Sequence, residues 1–144
     1  MAERIKDPTL KKNERITEVI HMFHQEPTER LLLAVILAVR EIMQQDGHLV
    51  FPADIGADEN GNLTFGFKTM EWDGCTAIVA FTDPEELKKG PQTDAVSQFM
   101  EPMLAQILDT EDMGGIVLNP WGEAMFLDRD DITVILNPGI ERFL

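Results

Sequence analysis

The chain has 144 residues, 44% hydrophobic and 26% charged, with 26 Asp and Glu against 12 Lys and Arg for a formal charge of -14. A chain of this length fits one globular domain that buries roughly 68 to 70% of its unfolded surface without metal or disulfide support, and the composition excludes a disordered chain. The negative charge argues against nucleic-acid phosphates and anionic lipid headgroups as partners.

Cys75 has no second cysteine to pair with, and Met1 to Asp7 places charges where a signal peptide needs an apolar stretch, so a cytoplasmic protein is expected. The longest apolar run, Leu31 to Val39, is about half of the roughly 18 residues of a spanning helix, so no membrane crossing is expected. Residues 1–15 are net +2 and the remainder -16. This opening reads either as a solvated helix entry or as a positive arm for an acidic surface, its own or a second copy's.

Asn13 is placed to cap a first helix, in which Ile16, Val19, Ile20 and Phe23 recur at amphipathic spacing. Pro27-Thr28 opens a second helix, apolar nearly all round, with Gly47 as a left-handed stop. From His48 the chain turns to strand residues punctuated by Asn60-Gly61 and Asp73-Gly74, both tight-turn dipeptides. Strands are expected near Leu49 to Pro52, Leu63 to Met70 and Thr76 to Phe81, the last two as an antiparallel hairpin with one face toward water.

Asp83-Pro84-Glu85-Glu86 has the form of a capping box opening a short helix that Gly90 ends. A short strand over Ala95 to Gln98 precedes a helix led by Pro102. Ile116 to Leu118 and Ala124 to Leu127 pair around Asn119-Pro120-Trp121-Gly122, and Asp128 with Asp131 caps a last helix closed by Asn137-Pro138-Gly139. The expected fold is a single α+β domain: a helical extension over 1–47, then a core over 48–144 with a mixed or antiparallel sheet of about five strands and short helices packed on it.

His21 and His24 are spaced to share a metal, but no cysteine joins them and His48 lies beyond a buried helix; a solvated or capping role is the simpler one. Around Gly61, an EF-hand register puts Gly56 and Phe67 where carboxylates are needed, so Asp54, Asp58, Asn60 and Asn62 are read as a hairpin connection. Asp128, Asp130 and Asp131 could hold a cation, although capping accounts for two of them. Asp109, Glu111 and Asp112 form a solvated helix exit, and Cys75, which follows a turn glycine and does not open a helix, is read as inert. No phosphate loop, dinucleotide fingerprint or nucleophile elbow is present, so neither catalytic residue, metal nor cofactor is assigned. The rival expectation is a small-ligand or metal-dependent enzyme using His21, His24 or Asp128 to Asp131.

What remains is surface. Trp72 precedes Asp73-Gly74 and Trp121 precedes Gly122, which makes these four residues the candidates for contact with a protein partner, a second copy included. Met100, Met103, Met113 and Met125 suit either an irregular core or an adaptable binding face.

Two segments carry a family resemblance: Ile78-Val79-Ala80-Phe81-Thr82-Asp83-Pro84-Glu85-Glu86-Leu87 and Gly114-Gly115-Ile116-Val117-Leu118-Asn119-Pro120-Trp121-Gly122. Together they resemble the N-terminal domain of the SseB family, in which a strand ending in Phe-Thr enters a short helix and a later strand ends in Asn-Pro. The resemblance covers about His48 to Leu136. It implies a bacterial α+β domain, in a family whose names refer to enhanced serine sensitivity and to type III secretion, with no catalytic mechanism to carry over. Phe81, Thr82, Asp83, Asn119 and Pro120 are the motif residues, and their types point to architecture: a helix cap and a turn that ends a strand. A non-enzymatic binding or regulatory module is therefore expected, and a secretion accessory or chaperone is compatible with the same features.

Overall fold

The computed structural model describes residues 8–137. The charges at Arg4 and Lys6 and the expected Pro138-Gly139 stop lie outside this span.

A 3-10 turn, Pro8–Asn13, leads into α1 (Glu14–Gln25), which packs against α2 (Glu29–Gln44). Thr28 caps α2 by accepting from the Leu31 N–H at 3.2 Å. Two local expectations fail here. Asn13 is itself helical and makes no cap bond, because its carboxamide is engaged elsewhere. The left-handed stop of α2 falls on Asp46 (φ 59), not Gly47; Gly47 is needed for room, since a Cβ there would lie 2.4 Å from Ile42 Cγ2.

The strands are β1 (His48–Ala57), β2 (Leu63–Phe67), β3 (Thr69–Trp72), β4 (Cys75–Ala80), β5 (Ala95–Phe99), β6 (Met113–Leu118) and β7 (Met125–Asp128). The helices between and after them are α3 (Pro84–Lys88), α4 (Met100–Asp109) and α5 (Arg129–Leu136). The α+β class holds, with seven strands among the described residues, in two sheets ordered β2-β1-β5 and β3-β4-β6-β7. All pairs are antiparallel except β4 with β6, joined by the crossover α3-β5-α4. The expected strand from Leu63 to Met70 divides at Lys68, where pairing passes from β1 to β4: Lys68 donates to the Pro52 carbonyl at 3.0 Å and accepts from Val79 at 3.1 Å. A bridge between Val50 and Phe81 joins the two sheets.

Alternation along the strands sorts their side chains to two faces. Ile78, Ala80, Ile116, Leu118 and Leu127 meet Ile16, Ile20, Val35, Val39, Leu104 and Ile135 from the helices in the main core. Ala77, Val79, Phe81 and Val117 face the other way, onto a smaller cluster with Leu10 and Leu87, against which Met70, Trp72 and Phe126 are half-buried. The methionines follow the core reading: Met100, Met103 and Met125 are buried, Met113 half-buried.

Two arginines close helix ends. Arg129 donates to the carbonyls of Leu108 (2.6 Å), Met113 (2.8 Å), Ile107 (2.9 Å) and Thr110 (3.0 Å), satisfying the C-terminus of α4. Buried Arg40, set within the apolar α2, donates to the carbonyls of Val134 and Ile135 at the end of α5.

Candidate functional site

The parallel strands β4 and β6 end side by side, and the motif residues follow directly. Asn119 takes the left-handed conformation (φ 53) and is 3% exposed. Its Oδ1 accepts from the Thr82 N–H at 3.0 Å, and its Nδ2 donates to the Thr82 hydroxyl at 3.1 Å. Thr82 in turn donates to Asp83 Oδ2 at 3.3 Å, while Asp83 Oδ1 accepts from the Glu86 N–H at 2.9 Å and caps α3. Asn13 completes the group by donating to the carbonyls of Thr82 (2.9 Å) and His48 (2.8 Å). Buried polar groups that find partners in this way hold loops in one arrangement.

Next to this cluster lies an open cleft of ≈ 210 Å³. Val79, Phe81 and Leu87 are apolar lining residues; Pro52, Lys68 to Met70, Pro91 to Thr93 and Trp121 complete it. Trp121, 45% exposed, sits on the backbone of Gly90, where a Cβ would lie 2.1 Å from Nε1. Gly122 lies beside Glu86, and a Cβ there would meet Oε1 at 2.5 Å. Glu86 does not reach back to close the expected capping box. Its Oε2 accepts from Lys89 Nζ at 2.6 Å, a bond that raises the Lys89 pKa, whereas Oε1 is buried without a hydrogen-bond partner.

Of the four contact candidates, Trp121 lines this cleft; its neighbour Gly122 packs against Glu86 and does not line it. Trp72 and Asp73 do not: Trp72 is half-buried against the smaller cluster, and Asp73 (φ 51) with Gly74 (φ 83) forms the β3–β4 turn. Lys68, Met70, Leu87 and Pro91 carry no local signal of this site, since three separate segments bring them together.

The other candidates serve the fold. His21 Nδ1 lies 2.8 Å from Glu123 Oε1, and His24 Nε2 2.7 Å from the Ala124 carbonyl, so both rings tie α1 to the segment entering β7. Asp58 accepts from the N–H groups of Asn60 and Asn62, both at 2.9 Å, and the bond from Asn62 leads in lowering its pKa. Asp128 and Asp131 form a reciprocal capping box, at 2.8 and 3.1 Å. Burial lifts Asp131 to about 6, with the charges of Asp128 and Asp130 adding to it and the bond from the Asp128 N–H opposing. Cys75 Sγ lies 3.2 Å from the Trp72 carbonyl. Among the described residues no three His, Cys, Asp or Glu side chains gather as a metal site, and no helix is long and apolar enough to cross a membrane.

The fold and cleft define a single α+β domain with an apolar, tryptophan-rimmed recess beside a parallel strand pair. The family profile described as the SseB protein N-terminal domain matches residues 18–134, and the chain belongs to that family. No curated protein and no solved structure gives a match.

Proposed function

We propose that this domain is a non-catalytic, cytoplasmic protein-binding module of the SseB type, and that the cleft beside Trp121 receives one apolar side chain of a partner. The carrying observation is the exposed indole of Trp121 at the rim of a recess lined by Val79, Phe81 and Leu87, next to the clasp of Thr82 with Asn119 and the Asp83 cap. Indole rings at the rim of a desolvated pocket are among the strongest contributors to protein interfaces. A link to secretion or serine sensitivity rests on family membership alone.

Selection of a displayed peptide library against the domain tests this reading. Binders should share an apolar anchor and lose about tenfold or more in affinity for Trp121→Ala, while Trp72→Ala, outside the cleft, has the smaller effect. Equal affinities for wild type and a folded Trp121→Ala variant would overturn the assignment.

A further inference from the structure

β2 and β3 form one edge, Leu63 to Trp72. Asp58 donates to the Asn62 carbonyl, Lys68 to Pro52, and Val79 to Lys68, so the even-numbered residues of this run direct their backbone groups inward to β1 and β4. By antiparallel alternation, Leu63, Phe65, Phe67, Thr69 and Glu71 direct theirs outward. Among the described residues no strand pairs with that side.

The β1–β2 hairpin is an arm with both faces exposed over Asp54 to Ala57 and Leu63 to Gly66. One face carries Ile55, 44% exposed, with Leu63 at 70% and Phe65 at 39%. The strand Leu63–Phe67 contains no charge and no proline, the devices by which exposed edges are kept apart. Such an edge is built to be paired.

We propose that a second copy of this chain pairs along Leu63–Phe67, antiparallel about a twofold axis through Phe65. The strand is self-complementary in that register. Phe65 meets its twin, Leu63 meets Phe67, and Thr64 meets Gly66, so apolar faces apolar and the outward N–H and C=O groups of all three odd residues are in phase. Lys68 of each copy falls opposite Asn62 of the other, one strand from the Asp58 carboxylate that Asn62 already holds. Between Asn62 and Lys68 no like charges oppose one another. A shift of the axis to Phe67 would instead set Glu71 against Leu63 and Thr69 against Phe65. A closed, isologous contact results, joining two three-stranded sheets into one of six strands.

Sedimentation equilibrium from micromolar to millimolar protein reads the outcome. The wild type should show twice the chain mass at the upper end. Phe65→Pro, which removes only an outward N–H and so is tolerated at an edge, should sediment as a monomer with an unchanged far-ultraviolet spectrum. Phe65→Glu, which sets two carboxylates face to face across the axis, should do the same and decides the matter if the proline variant does not fold. A monomeric wild type over the whole range, including one whose edge is taken by a different partner, would overturn the proposal. So would a dimer that survives in either folded variant.

Discussion

Thr82 and Asn119, 37 residues apart, exchange two hydrogen bonds: the amide of Thr82 to Asn119 Oδ1, and Asn119 Nδ2 to the Thr82 hydroxyl. The pair locks the exits of β4 and β6 together, and Asn119 does so from a left-handed backbone, which asparagine adopts more readily than most residues. Asn119→Ala should cost about 2 to 4 kcal/mol, combining two buried bonds with the strain of a Cβ at φ 53. Asn119→Gly loses the same bonds without the strain and should be the more stable of the two by about 1 kcal/mol. Urea unfolding midpoints of both variants check the order, and the reverse order would show that backbone conformation contributes nothing here.

Arg129 gathers four carbonyls around one guanidinium, including two from the last turn of α4. Arg129→Ala should destabilise the domain by about 2 to 4 kcal/mol, because partly buried acceptors are left without a donor. Arg129→Lys should recover less than half of that, since a single ammonium cannot span the fork. Thermal unfolding of the pair checks both values.

Asp131 supplies a pH signature. Its folded pKa of about 6 lies above the ordinary 3.8, so the native state binds the extra proton. Its ionisation therefore weakens the fold as pH rises from about 4 through about 6, and that contribution is restored as pH falls through the same window. Asp131→Asn keeps an oxygen for the Asp128 N–H while removing the charge. Relative to wild type, its stability should rise across this window, by on the order of 1 kcal/mol once solvent screening at a half-buried site is allowed for. A stability difference that stays flat between pH 4 and 7 would refute the assignment.

Features written in neighbouring residues were legible in advance. Asp73-Gly74 turns β3 into β4, Asp83 caps α3, and the Asp128–Asp131 box opens α5. Asn13 shows where local reading stops. Beside a helix it looks like a cap, but its partners are carbonyls 35 and 69 residues away, and no pattern in its own segment encodes them. Arg129 and Lys68 are hidden for the same reason: each acts through groups delivered by distant strands and helix ends. The alternation of Leu63, Phe65 and Phe67 correctly marks a strand, whereas the expectation of one covered face assumes a neighbouring layer that does not reach Leu63 and only partly shields Phe65. Trp121 stands out by residue type alone, but the recess beside it depends on tertiary assembly.

The bonds from Asn13 carry a practical consequence for anyone trimming this protein. With Ile16, Ile20, Val35 and Val39 inserted into the same interior as Leu49, Ile116 and Leu127, the first two helices supply nine of the 24 buried residues of the main core and are an integral part of it. A fragment starting at residue 48 would present the bare inner wall of its strands to water and strand the carbonyls of His48 and Thr82, so it should aggregate on expression where a fragment starting upstream of Asn13 stays dispersed.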